Sequence, residues 1–365
     1  MPSSTSSSEA QVDMSKYDRP LPGKSLGVEA MIAVIVAVIL MSGWEMFWRA
    51  NDAVPSYRNS EGLWAIQRRR INRGEGDKTV IVGSSRIFFN TQLDVWESVA
   101  GERPIQLSLE GTTPVPVMEA LADDPDFTGT LLVGVATGLF FSNFQYREAA
   151  LQRFNEESPA QWMGQRISML VEPYLAFYHQ DYSLFTVTKR QPLPKRDTIF
   201  IPSDVRRLAT YQIDRGARLF SKVETNEAYA ARAKEIWAEE FVHGPPPTEE
   251  FMAELMASRD VEMEKAVAAT IILRERGVEV IFVRMPSEGI YAEVEPMGYP
   301  RDENWDVLLE RTDALGLHWE DHVEMQGFWL PEWSHMSGSE ADRFTRAFYE
   351  LIQRERASRD QGDGE

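Results

Sequence analysis

Between Glu29 and Glu45 the chain runs for 15 residues without a charge, inside an apolar stretch from Leu26 to Trp48 that reads L-G-V-E-A-M-I-A-V-I-V-A-V-I-L-M-S-G-W-E-M-F-W. As a helix that stretch reaches about 34 Å, enough to cross a hydrocarbon core of roughly 30 Å. Glu29 and Glu45 would fall near the two interfaces, and Trp44, Phe47 and Trp48 form an aromatic belt at the far end. A cleaved signal peptide needs a short basic lead and a small-residue cleavage site. Here the lead is long, Ser-rich and polar, and no such site follows Trp48. A buried core helix would not stand alone beside a polar tail. The expectation is a transmembrane signal anchor over residues 25–48, preceded by a disordered cytoplasmic tail over 1–24.

Flanking charge does not decide the orientation. Lys16, Arg19 and Lys24 precede the stretch, while Arg49, Arg58 and the run Arg68, Arg69, Arg70 follow it. A short tail inside and a large domain outside is the commoner layout for one N-terminal span in a bacterial envelope protein. The expected place is therefore the inner membrane, with the globular domain in the periplasm.

The rest of the chain is long enough for one large domain or two smaller ones, and a hydrophobic content of 43% supports a real core. A net charge of −19 argues against a nucleic-acid partner, because a phosphate binder needs a basic footprint. With no cysteine, the chain has no disulfide, thiolate metal site or cysteine nucleophile. That count suits any compartment, an oxidising one included.

Residues 49–77 read as a juxtamembrane linker. Within it Leu63 to Ile71 predicts a short helix with a basic face, either against the membrane surface or in solvent. The globular domain opens at Lys78 to Asn90, K-T-V-I-V-G-S-S-R-I-F-F-N. A short β-branched run bounded by Gly83 predicts a buried parallel strand, and ligands of open α/β sheets sit past the carboxyl ends of such strands. A serine at that turn, Ser84 or Ser85, is held by the strand and exposed as a nucleophile must be. Arg103 to Leu109 predicts a second strand, followed by Gly111 and a helix through Leu121. Thr130 to Val135 predicts a third, ending in Ala136-Thr137-Gly138. Three strands running into small-residue loops imply a doubly wound sheet.

Residues 146–261 predict a helical insertion over the sheet, rich in aromatics such as Trp162, Tyr174, Phe177, Tyr178, Tyr182 and Phe185. Its aromatics are expected in its core, with stacking on sugar rings as the alternative. Breaks fall at Gln191 to Arg196 and at Pro245 to Pro247. Thr248 then caps a long helix that stops at Gly277, and Val278 to Val283 returns to a buried strand.

Near the end, Glu332 stands three residues before His335, and Ser337 with Glu340 forms a capping box for the last helix. Phe344, Phe348, Leu351 and Ile352 mark that helix's core face. A carboxylate so placed can bond one ring nitrogen of the histidine and leave the other facing outward, which is the base-and-orienter half of a triad.

Together these pieces resemble the SGNH/GDSL hydrolase superfamily. The resemblance covers about 78–145 and 262–357, an SGNH-like domain in two parts, with a disordered tail over 358–365. Ser85 in Gly83-Ser84-Ser85-Arg86 takes the nucleophile's place, with Ser84 where the family's Asp stands. Gly111 matches the second-block glycine, His335 the histidine, and Glu332 the usual Asp. The resemblance implies a three-layer α/β/α fold with a doubly wound, mainly parallel sheet. It also implies a serine esterase or O-acyltransferase in which His335 is the base and Glu332 orients it. Ser85 and Gly111 would form the oxyanion hole. The chain is similar to the membrane-anchored branch that handles O-acyl groups on envelope polymers, such as alginate acetylation and D-alanyl-lipoteichoic acid transfer proteins. That likeness implies an acylated glycan or other ester as substrate, and a membrane acyltransferase as partner. It leaves room for a catalytically inert binding or assembly protein. The chain departs from the family where the third block should supply an Asn to the oxyanion hole. Thr137, or Asn143 folded back, would have to donate instead.

Arg86 is a candidate for binding an anionic substrate, with a structural ion pair as the alternative. His318-x-x-x-His322, with Glu320 and Asp321 between, has helical metal-ligand spacing but no clear third ligand, so a solvated loop is expected and no metal. No cofactor is expected. His179 and His243 have no partner that the sequence names.

Overall fold

The computed structural model describes residues 26–189, 207–243 and 248–362. The expected N-terminal tail and the breaks at 191–196 and 245–247 lie outside the described residues. The fold is built on β1 (Val80–Val82), β2 (Ile105–Gln106) and β3 (Thr130–Gly134). A separate antiparallel hairpin follows, β4 (Ala209–Tyr211) and β5 (Ala217–Leu219), and then β6 (Glu279–Arg284) and β7 (Leu315–His318). β1, β2, β3, β6 and β7 make one wholly parallel sheet in the order β2-β1-β3-β6-β7. Strand order reverses between β1 and β3, and the carboxyl ends of these two strands flank the crevice where such sheets bind ligands.

The strands are apolar without alternation because both faces of the sheet are covered. Val80, Val82, Leu131, Val133, Val280 and Phe282 belong to one core, and Ile81, Leu132, Ile281 and Val283 to another. The register places Ile81 beside Leu132 and Leu132 beside Ile281, so like faces line up across the sheet.

Helices supply both layers. α1 (Gly27–Ala50), α2 (Glu61–Arg68), α3 (Ser85–Asn90), α4 (Leu93–Ala100), α5 (Val115–Ala122) and α6 (Thr137–Phe140) accompany the first three sheet strands. The insertion contributes α7 (Ala149–Asn155), α8 (Pro159–Val171), α9 (Leu184–Lys189), α10 (Ser221–Thr225) and α11 (Glu227–His243). α12 (Glu249–Glu275) leads back to the sheet and stops where Gly277 turns left-handed at φ 84°. α13 (Gly289–Gly298) and α14 (Arg301–Thr312) join β6 to β7, and α15 (Gly338–Gly362) ends the described chain. α2, α5, α12 and α14 pack on the first core, and α4 and α15 on the second.

Three expectations are corrected. The linker is part of the domain from α2 onward: Trp64 is buried in the first core, and its indole N–H donates to the Leu107 carbonyl at 2.9 Å. Its basic face meets carboxylates rather than lipid or solvent. Arg68 pairs with Asp124, Arg69 with Glu157 and Arg70 with Glu75, each at 2.6 Å. The insertion is not purely helical, since the β4–β5 hairpin buries Ala209 and Ala217 against Phe88 and Phe89. The last helix runs to Gly362, past the expected start of the tail at 358.

α1 is long and apolar enough to cross a membrane, with a mean hydropathy of 2.1. No residue of it is buried against the rest of the chain. Over residues 30–43 the helix is uncharged and exposed on every side, which separates it from a core helix.

Candidate functional site

β1 ends in a turn that only glycine allows. Gly83 has φ 146°, and a Cβ there would lie 2.5 Å from Ile87 Cγ2 and 3.0 Å from the Gly134 Cα. The close approach of β1 and β3 thus leaves room for Ile87 and for nothing else. Ser84 then extends the backbone as the cap residue of α3, and Ser85 is its first residue. Of residues 81–90, all are buried except Ser85, which is half-exposed. The Ser84 hydroxyl is buried and has no hydrogen-bond partner among the described residues.

The second element is the loop before α15. Glu332 Oε1 lies 2.9 Å from His335 Nδ1 and also accepts the His335 backbone N–H at 2.6 Å. The carboxylate is fully buried and the imidazole nearly so. Trp333, between them, sits at φ 75°, a left-handed conformation costly for a bulky side chain and tolerated only where the surroundings enforce it. Its carbonyl accepts the Glu288 N–H at 2.8 Å, which fixes the turn. The turn folds Glu332 back under its own histidine. The expected cap is present in part: the Glu340 N–H reaches Ser337 Oγ at 3.4 Å.

These two elements are joined residue by residue. Arg86 Nε donates to Ser334 Oγ at 3.2 Å, the Met336 N–H donates to Asn90 Oδ1 at 2.9 Å, and the Phe89 ring packs tilted against His335 with centroids 4.5 Å apart. Ser85 is four residues before Phe89, hence one turn away on the same face of α3. His335 Nε2 is buried without a hydrogen-bond partner among the described residues, so Ser85 Oγ does not bond it in this state. Catalytic hydrogen bonds are often long until substrate is bound.

The expected oxyanion groups lie at the neighbouring strand ends. The Leu109 N–H donates to the Gly83 carbonyl at 2.8 Å, so Gly111 and Ser85 each stand two residues beyond one backbone pair. Gly111 is half-exposed in a left-handed conformation, φ 60°. Thr137 opens α6 just past β3, and its hydroxyl is buried and unpartnered among the described residues. Asn143 does not fold back to this place: its N–H is bonded to Ser258 Oγ at 3.1 Å. The space between Ser84, Ile87, Ala136 and Met285 has no room for a water molecule. A cavity of about 220 Å³ lies elsewhere, between Leu208 and α11.

The substrate-binding expectation for Arg86 gives way to its structural alternative. Its guanidinium is buried, forms two hydrogen bonds to Glu295 at 2.6 and 3.0 Å, and lies 4.9 Å from the Tyr291 ring centroid. Arg284, at the end of β6, pairs with the same carboxylate. Burial alone would raise the Glu295 pKa; the two arginine charges outweigh it and hold it at about 2. A guanidinium committed in this way has little capacity left for a polymer anion.

The His318–His322 spacing is not helical either. His318 ends β7 and is buried, and burial, with Arg301 and Arg284 nearby, pushes its pKa down to about 3. Among the described residues no group of three or more His, Cys, Asp or Glu is placed to hold a metal ion. His179 gains a local role, its Nδ1 accepting the Asp181 N–H at 3.3 Å.

Trp237 is the site residue that the sequence does not announce. From α11 its indole N–H donates to Glu332 Oε2 at 2.6 Å, so both carboxylate oxygens are bonded. Trp237 and Phe241 also pack their rings near Tyr291 of α13. No local pattern marks it, because its partner lies 95 residues away. Glu295 and Arg284 escape notice for the same reason. No protein-family model matches this chain, and no curated protein matches it.

Proposed function

We propose that the protein is a membrane-anchored serine O-acyl esterase or acyltransferase of SGNH/GDSL type, acting on an ester such as an acylated envelope glycan from the outer side of the inner membrane. The observation that carries this reading is the buried Glu332–His335 pair, packed on Phe89 one turn of α3 from Ser85, with its second ring nitrogen unpartnered among the described residues. With Nδ1–H bonded to the carboxylate, Nε2 is the basic nitrogen.

In the proposed reaction Ser85 Oγ attacks the ester carbonyl and gives its proton to His335 Nε2. The amides of Ser85 and Gly111, with the Thr137 hydroxyl, hold the negative oxygen. The bond to the leaving alcohol then breaks, and that oxygen takes the proton from His335. Water or a glycan hydroxyl attacks the acyl-serine with the same base, and Ser85 leaves with its proton restored. A membrane acyltransferase would be the natural source of acyl groups for the transferase version.

A second reading is a catalytically inert protein of the same fold that binds or assembles envelope components. The tight space around Ser84 and the lack of a third-block Asn favour it. Fluorophosphonate labelling of the full chain in detergent decides between them. The enzyme reading expects labelling of the wild type that disappears in Ser85→Ala and falls steeply in His335→Ala. Absence of labelling in folded wild type, or labelling that survives Ser85→Ala, would sink it.

A further inference from the structure

The insertion's aromatics are where the core expectation fails most plainly. Leu170, Tyr174 and Phe185 are 74%, 70% and 78% exposed. On α8 the polar side faces the protein: Gln165 is buried under Gly62 and Ser60, and Ser168 bonds the buried Glu172. Met163, Ile167 and Leu170 follow at i, i+4 and i+7, the spacing of one helical stripe, and all three are exposed, as is Tyr174 in the turn after the helix. Leu184 and Phe185 begin α9 and are exposed as well. An apolar surface of this kind on a water-facing domain marks a contact.

What covers it follows from where it is fastened. The segment between α8 and α9 is bonded to the last turns of α1. The Glu45 carboxylate accepts the backbone N–H groups of Ala176 and Phe177, each at 3.0 Å. Arg49 Nη2 donates to the Tyr174 carbonyl at 2.8 Å, and the Trp44 indole to the Tyr182 carbonyl at 3.3 Å. Trp48 and Tyr182 pack ring on ring with centroids 4.6 Å apart. The exposed residues therefore start at the exit of the membrane-crossing helix, and the bare rim of α1 itself, Met46 and Phe47, continues them. Interfacial helices bury an apolar face in just this boundary between headgroups and acyl chains, and tyrosine and tryptophan favour the same depth.

We propose that α8 and the start of α9 are a second membrane contact: their apolar face lies in the interfacial layer of the bilayer that α1 crosses. Two attachments fix the tilt of the domain as well as its distance from the bilayer. The inference does not depend on the chemistry at Ser85; it rests on α1 crossing the membrane.

The absence of cysteine makes the test direct, because any introduced thiol is the only one. Ile167→Cys, Leu170→Cys and Phe185→Cys would each carry a nitroxide label in the full chain reconstituted in phosphatidylcholine–phosphatidylglycerol nanodiscs. Leu40→Cys in α1 serves as the lipid control and Ser98→Cys, on the exposed side of α4, as the aqueous one. The readout is collision with oxygen, which concentrates in lipid, against collision with a water-soluble nickel chelate. All three labels are expected to show an oxygen-to-nickel ratio several-fold above Ser98→Cys and to approach Leu40→Cys. Ratios equal to Ser98→Cys, with Leu40→Cys in lipid, would overturn the proposal. So would low collision with both reagents, which would mean that a second copy or another protein covers the face. Leu40→Cys in water would overturn the spanning reading of α1 and this proposal with it.

Discussion

Glu295 and Glu332 are both buried carboxylates, and both bear on Arg86, yet their partners differ in kind. Glu295 sits between two guanidiniums, Arg86 and Arg284, with Ser287 at 3.3 Å as a further donor. Its partners carry permanent charge, so the cluster has no proton to exchange near neutral pH. Glu332 has an imidazole, an indole N–H and a backbone N–H instead. That imidazole keeps one ring nitrogen with no partner among the described residues. The first arrangement fastens α13 and β6 to α3. The second fits a group that must move protons. Two buried acids of similar exposure can thus serve opposite ends, and the partner type distinguishes them.

The largest expected effect tests the proton-moving side. Glu332→Gln should keep the fold but remove the charge that orients and stabilises a protonated His335. The fluorophosphonate labelling rate should fall by about 10⁴, as for an Asp-to-Asn change in a serine triad. A rate within tenfold of wild type would place Glu332 with Glu295 as a structural group.

Next comes the fastening side. Glu295→Gln leaves two buried guanidiniums without a counter-charge, and breaking a buried pair of this kind costs about 3–5 kcal/mol. Urea unfolding should show the loss as a lower midpoint at unchanged slope. The acid response of the wild type has a definite sign. Because the folded Glu295 pKa, about 2, lies below its ordinary value of 4.5, this carboxylate stabilises the protein above pH 4.5. That contribution fades as pH falls from 4.5 toward 2, and Glu295→Gln should remove this part of the acid slope.

The smallest effect on stability is expected at Thr137. Its hydroxyl makes no bond among the described residues, so Thr137→Ala should change the folding free energy by less than about 1 kcal/mol. If the hydroxyl donates to the oxyanion, labelling should fall by about 10²–10³ at the same time. Unchanged labelling would remove Thr137 from the site and return attention to the inert reading.

The elements most legible in the sequence are those whose signal is local. V-I-V-G after Thr79, L-L-V-G after Thr130 and V-I-F-V after Glu279 became neighbouring parallel strands, because a strand buried on both faces has to be apolar throughout. Gly277 ends α12 as its position demands. The Glu332–His335 contact was also within reach, since three residues of chain and a turn suffice to make it. Arg68 to Arg70 misled because a basic run says nothing of the carboxylates that meet it. Asp124 and Glu157 are brought to them from elements 56 and 88 residues away.

By itself, the sequence determined the spanning length of α1, the strand-and-helix rhythm, the glycine turn that presents Ser85, and the pairing of Glu332 with His335. Only the tertiary structure decided that Arg86 serves Glu295, 209 residues away, that Trp237 closes over Glu332, and that the insertion leaves Leu170 and Phe185 bare. The reason is physical. Periodicity and backbone geometry are properties of a few successive residues, whereas a charge's partner and a side chain's burial depend on which distant segments the packed core brings alongside.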